Sequence, residues 1–243
     1  MNTFSISSLD KAEQEKHLLK LVEEFLEENS PQSMENIDFR GARFDAGLAW
    51  VHFPEEEGGL GLPPNMQRIV ERRMREAGAQ PTDPTTFFMS LAGPTISTHG
   101  TLEQKKRFLR PMYTGEERWC QLFSEPGAGS DFAGLACKAE RDGDEWVITG
   151  QKVWNTLAHL GDWGMLVTRS NPDLPKHKGM TYFALDMRAP GVEVRPLRQI
   201  TGEAEFNEVY VTEVRVPDSC RIGDAGEGWR VALTTLMNER SAI

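Results

Sequence analysis

The feature that most constrains this fold is a change of hydrophobic period near residue 118. Upstream, apolar residues recur every three to four positions, as one face of a helix requires. Ser8 to Asn29 carries Leu18, Val22 and Phe25 with Leu19 and Leu26 on one stripe, Ser8 is placed to cap it, and Ser30-Pro31 ends it. Asn65 to Ala77 repeats the pattern through Met66, Ile69, Val70 and Met74, closed by Gly78. Thr85 to Thr98 is apolar all round, which predicts a buried helix bent at Pro94. Thr101 to Leu109 opens on a Thr101/Gln104 capping box. Downstream the runs shorten. Leu135–Glu140 and Trp146–Thr149 flank the turn Arg141-Asp-Gly-Asp-Glu145, a hairpin signal. Trp163–Thr168, Met180–Met187, Val192–Pro196 and Glu208–Val214 follow as strands between turn residues. From Trp229 the helical period returns. The expected fold class is α+β: an all-α domain over residues 1–118, an antiparallel β-barrel or sandwich over 119–226, and the first helix of a further helical domain over 227–243.

Charge narrows the partners. The 243 residues carry a formal net charge of −10, which argues against nucleic acid or an anionic membrane, since both are bound by clustered Lys and Arg. No apolar run approaches membrane-spanning length, and Met1-Asn-Thr-Phe-Ser5 lacks a basic region followed by an apolar core. A soluble, cytoplasmic protein is expected. Cys120, Cys137 and Cys220 are odd in number and without Cys-x-x-Cys spacing, so they read as reduced thiols and no metal site is expected. Glu55–Glu57 reads as a solvated acidic face.

The chemistry concentrates where the period changes. Trp119 to Phe123 is a short, mostly apolar strand that runs into Ser124-Glu-Pro-Gly-Ala-Gly-Ser-Asp-Phe-Ala-Gly134. Glycine lets successive backbone N–H groups converge on an anion, and Ser124 and Ser130 add hydroxyls. The spacing matches neither Gly-x-Gly-x-x-Gly nor a phosphate loop ending in Lys-Ser or Lys-Thr. Residue by residue, a tight loop and a ligand loop both fit.

A second stretch decides between them. Ser124-Glu125-Pro126, Gly129-Ser130-Asp131 and Gly150-Gln-Lys-Val-Trp-Asn-Thr156 together resemble the flavin-binding signature of the acyl-CoA dehydrogenase family. Gly58-Gly-Leu-Gly61 and Phe206–Pro217 add to the likeness. The resemblance implies FAD as cofactor, an acyl-CoA thioester as substrate, its α,β-dehydrogenation to the 2-enoyl-CoA, and an electron-transfer flavoprotein as electron acceptor. It also implies a homo- or hetero-oligomer. Family members continue into a four-helix bundle, so the helix reaching Ile243 implies an amino-terminal portion, or a subunit whose partner supplies the rest. A non-catalytic subunit scaffolding a complete partner, and a flavin oxidase or monooxygenase on the same scaffold, are the alternatives.

By position, the resemblance implies that Phe123 and Ser124 meet the pyrimidine end of the flavin. It sets Trp154 along the isoalloxazine with Thr156 near N5, and Gly129 and Ser130 at the pyrophosphate or the substrate. Gln121 takes a cofactor position that is aromatic in some members, and Asn155 departs from the common residue. Phe87 to Ile96 correspond to a helix lining the acyl pocket, or are plain core. Glu239 matches the base of one branch of the family, whereas most branches carry theirs in the carboxy-terminal domain. Beside Arg240 it also reads as an ordinary solvated pair. Arg240 corresponds to a residue near the CoA portion of the substrate. Glu125 and Asp131 are implied to be structural; His17 reads as solvated, while His99 and His159 invite functional readings, His159 beside the implied flavin or as a hydrogen-bonded structural histidine.

Overall fold

A computed structural model describes residues 6–81 and 83–242. Two compact units emerge, and they do not follow the chain in order. One runs to Asp83 and takes in Lys105–Glu116; the other comprises Pro84–Gln104 and the chain from Glu117 onward.

The first unit is helical. Helices α1 (Lys11–Glu28), α2 (Asn36–Asp45) and α3 (Gln67–Glu76) bury Leu18, Val22, Phe25, Phe39, Val70 and Met74 around Leu48, Val51 and Leu62. Phe25 and Phe39 meet with ring centroids 5.5 Å apart. The first helix starts later than expected. Ser8 lies in a 3-10 turn, and Asp10 is the cap, its carboxylate accepting from Glu13 N–H at 3.0 Å while Glu13 accepts from Asp10 N–H. An aspartate followed three residues on by a glutamate satisfies two orphan donors at once, which Ser8 cannot. The acidic run also differs from expectation. Glu55 and Glu56 are exposed, but Glu57 is buried and accepts from Lys105 Nζ at 2.8 Å. The neighbouring Gly59 is required by crowding, because a Cβ there would lie 2.1 Å from the Phe53 carbonyl oxygen.

Helices α4 (Met89–His99) and α5 (Leu102–Thr114) follow. The Thr101/Gln104 capping box is present in both directions, but α5 runs past Leu109 to Thr114. Helix α4 is shorter than the 85–98 span read from sequence. Pro84–Thr86 is a 3-10 turn and Phe87 is exposed, so only Leu91, Ala92, Gly93, Thr95 and Ile96 form a buried face.

The second unit holds strands β1 (Trp119–Leu122), β2 (Lys138–Asp142), β3 (Glu145–Thr156), β4 (Trp163–Arg169), β5 (Met180–Asp186), β6 (Val192–Leu197), β7 (Phe206–Pro217) and β8 (Arg221–Ile222), then helix α6 (Gly228–Ala242). Among the described residues they form one eight-stranded sheet in the order β6-β7-β3-β2-β4-β5-β8, with β1 beside β4. The hairpin at Gly143 is as expected, its φ of 63° being what a tight turn asks of glycine. The sheet is mixed rather than antiparallel throughout. β1 runs parallel to β4, and β2 meets β4 in parallel at Lys138 and Arg169. The β2–β3 hairpin and its flanking loops separate β1 from β4, giving the long crossover a parallel pair needs. Cys120, Leu122, Ile148, Leu166, Phe183, Val209 and Val214 build the core.

Candidate functional site

The site forms where β1 stops. Phe123 and Ser124 leave the strand beside β3, fixed by Val153 N–H donating to Ser124 O at 2.9 Å. Glu125 and Ala128 then exchange backbone hydrogen bonds of 2.9 and 3.0 Å, closing the loop on itself. Beneath it lies a buried ion pair. Lys152 is fully buried and donates through Nζ to Glu125 Oε1 (2.7 Å), Phe123 O (3.1 Å) and Val167 O (2.7 Å). The Glu125 carboxylate also accepts from the N–H groups of Ala136 (2.6 Å) and Cys137 (3.0 Å). All three ammonium protons have acceptors, the condition under which a buried charge is tolerated. Asp131, at the loop's far end, accepts from Lys176 Nζ at 2.9 Å, and that contact holds its carboxyl below the usual range.

On the other side of this anchor is an open cleft of about 380 Å³, lined by Phe88, Gln121, Phe123, Ser124, Gly129, Ser130, Phe132, Val153, Trp154, Asn155, Thr156, Leu236 and Glu239. The volume falls among small-molecule sites, about 300–1,000 Å³. Trp154 has φ 61°, a left-handed conformation that is strained for a bulky residue. The residue is 63% exposed, its indole edge-on to Phe206. Phe123 stacks on Phe132 at 5.0 Å. Among the described residues the hydroxyls of Ser124, Ser130 and Thr156 make no hydrogen bond, and a Cβ on Gly129 would meet nothing within 4 Å. Glu239, on α6, accepts from Gln121 Nε2 at 3.3 Å.

The cleft therefore gathers Gln121, Phe123, Ser124, Gly129, Ser130, Trp154 and Thr156 with Glu239. It does not gather Arg240, which is exposed and outside the lining. His159 is exposed as well, and His17 is on the surface of α1. His99 packs between helices, its Nε2 2.7 Å from Thr234 Oγ1, and burial and the nearby Arg230 charge hold its pKa below the ordinary value. Phe132, Val153 and Leu236 line the cleft without having been singled out from sequence. For Leu236 the signal was its place three residues before Glu239, on the same helical face. No group of three or more His, Cys, Asp or Glu among the described residues is arranged to hold a metal, and no helix among them is long and apolar enough to cross a membrane.

The family model of the acyl-CoA dehydrogenase N-terminal domain matches residues 12–116, and that of the middle domain matches residues 120–214. The chain belongs to the acyl-CoA dehydrogenase family. Acyl-CoA dehydrogenase FadE34 of Mycobacterium tuberculosis is 49% identical over 199 residues, which are 82% of this chain and 28% of the relative. Acyl-CoA dehydrogenase IpdE1 of the same organism is 45% identical over 195 residues, 80% of this chain and 50% of the relative. The chain thus spans half or less of these relatives. Among solved structures, one described as the Tcur3481-Tcur3483 steroid ACAD superimposes with a TM-score of 0.69 at 28% identity, covering 98% of this chain and 64% of that one. The ChsE4-ChsE5 complex of M. tuberculosis gives 0.67 at 28% identity, over 95% and 61%. The relatives are oxidoreductases by name, and the family is one of flavoproteins.

Proposed function

We propose that this chain supplies the flavin cleft and the proton-abstracting carboxylate of an FAD-dependent acyl-CoA dehydrogenase. The observation that carries the reading is the convergence of the motif residues and Glu239 on one cleft. The donor set fits FAD: three unengaged hydroxyls, an exposed indole and an open glycine edge suit a flat, hydrogen-bonding, anionic molecule. Phe123 and Ser124 would hold the pyrimidine end of the flavin, Trp154 its ring system, and Thr156 the region near N5. Gly129 and Ser130 would meet the pyrophosphate or the substrate, and Gln121 lines the same cleft. When bound, FAD supplies the hydride acceptor.

The chain's own chemistry is the proton transfer. The Glu239 carboxylate removes the proton α to the thioester carbonyl, the electron pair of that C–H bond becomes the C=C bond of the 2-enoyl-CoA, and the pair of the broken β-C–H bond leaves with the hydride, for which bound FAD would be the acceptor. Arg240, exposed on the next position of α6, is assigned to the CoA portion, where a guanidinium suits an anion. An electron-transfer flavoprotein accepts the electrons. A hetero-oligomer is the proposed assembly, because the ChsE4-ChsE5 neighbour is described as a complex. Three cysteines that form no disulfide among the described residues, two of them buried, suit a reducing compartment, and the cytoplasm is the proposed location.

The test is a visible absorption spectrum of the protein with FAD, alone and co-expressed with a longer family member. Acyl-CoA thioesters are then added, including steroid-bearing ones because a neighbour is a steroid ACAD. The expected result is a retained flavin band that bleaches with one thioester class and stays unbleached in Glu239→Gln. Absence of flavin and of bleaching under both conditions overturns the reading. Full activity of a complex carrying Glu239→Gln would instead favour a non-catalytic, scaffolding subunit.

A further inference from the structure

A chain of three carboxamides leads to Glu239. Asn207 donates through Nδ2 to Asn155 O at 2.9 Å and to Glu205 O at 3.0 Å. Asn155 donates through Nδ2 to Gln121 O at 2.8 Å. Gln121 donates through Nε2 to Glu239 Oε2 at 3.3 Å. Each amide faces an oxygen that can only accept, so the orientation of all three is fixed by chemistry. The chain crosses from β7 to β3 to β1 and ends on α6.

Two features argue against a purely structural origin. Asn155 and Asn207 are 2% and 0% exposed, and the Oδ1 atom of each finds no partner among the described residues. A buried orphan acceptor destabilises, so two of them in series point to a demand other than stability. Asn155 also stands where the family resemblance expects a different residue, inside the stretch that lines the cleft. What this arrangement achieves is direction. The Gln121 backbone is pinned at the end of β1, and its side chain is left a single charged acceptor.

We propose that Gln121 is a positioning residue for the Glu239 carboxylate, held in place by Asn155 and Asn207, and that its side chain serves the base rather than the cofactor. The inference rests on Glu239 being the base. A side-chain amide that fixes one carboxylate oxygen leaves the other to face the cleft, and it removes the rotamer search a helix-surface glutamate would otherwise make before each proton transfer.

The first arm of the test needs no activity. In the ¹⁵N-labelled protein the Gln121 side-chain NH₂ pair is assigned as the signal lost in Gln121→Leu. Glu239→Gln is expected to move that pair more than any other glutamine side-chain pair, and to move it far less when Asn155→Leu or Asn207→Leu is also present. A Gln121 pair that ignores Glu239→Gln overturns the proposal. The second arm uses the flavin-loaded protein. Gln121→Leu is expected to lower kcat about tenfold with KM and the bound-flavin spectrum unchanged, and to enlarge the isotope effect of an α-deuterated thioester. A weakened flavin affinity with an unaltered isotope effect would assign Gln121 to the cofactor and overturn it. Absence of flavin and turnover altogether counts against the proposed function, and the first arm then still decides whether Gln121 holds Glu239.

Discussion

Lys152 shows how one residue can hold a site it does not enter. Its ammonium lies under the loop, joined to Glu125, Phe123 O and Val167 O, and the same loop presents Phe123 and Ser124 to the cleft. Removing one member of a buried pair leaves an uncompensated charge, so Lys152→Met is expected to cost about 3–5 kcal/mol in urea unfolding, while Lys152→Met with Glu125→Gln costs less than the single change. A single change no worse than the double would show that the pair does not carry the loop. Lys152 stood in the motif read from sequence, but without a role, because nothing local reveals that a strand lysine turns inward onto a glutamate 27 positions away. Glu125, Trp154 and Ser124 were legible because they sit in contiguous motifs. The Asn155 and Asn207 contacts were not, since they join strands far apart in the chain.

At the scale of elements, the helix bearing Glu239 is fixed by a polar seam. Thr235 Oγ1 lies 2.9 Å from Thr95 Oγ1 on α4 and 3.2 Å from Tyr182 OH on β5, all buried, and His99 meets Thr234 one position away. Because burial lowers the His99 pKa from 6.5, the unfolded chain takes the proton more readily than the fold. The stability this contributes is whole above the unfolded value and is lost as the pH falls below it. The urea midpoint is expected to fall between about pH 7.5 and about pH 5.5, and to fall less in His99→Gln. Equal falls would remove His99 as the cause. The sheet has its own tight point. A Cβ on Gly150 would lie 2.6 Å from Cys137 Cα, so Gly150→Ala is expected to destabilise by about 2 kcal/mol or more, read as a lowered melting temperature. Strand positions were legible from alternation and turn residues, whereas the parallel β1–β4 pairing was not, because period records which face is buried and is silent on direction.

At the scale of the molecule, the change of period near residue 118 marks where helices give way to strands, but compactness groups the chain differently. Helix α4, read from sequence with the helical part, belongs to the compact unit that contains the sheet and α6. Its buried Thr95 meets Thr235 of α6 in that unit. Gln104 extends the attachment by donating to Ser219 O (2.6 Å) and Arg221 O (2.8 Å) at β8. A fragment of residues 119–243 therefore lacks Thr95 and His99, the α4 partners of Thr235 and Thr234, while Thr235 keeps Tyr182. A fragment of residues 84–243 retains Thr95 and His99. The longer fragment is expected to unfold cooperatively in urea and the shorter one to be less stable by about 1–3 kcal/mol, the value of two lost side-chain hydrogen bonds. Equal stability would mean that the sheet folds without α4 and that the boundary at 118 and 119 is the physical one. The same pair of fragments bears on the cleft, because Phe88 and Glu239 reach it from α4's amino end and from α6. If α4 sets the seat of α6, the shorter fragment also loses the response of the Gln121 side-chain amide to Glu239→Gln, even where its sheet remains folded.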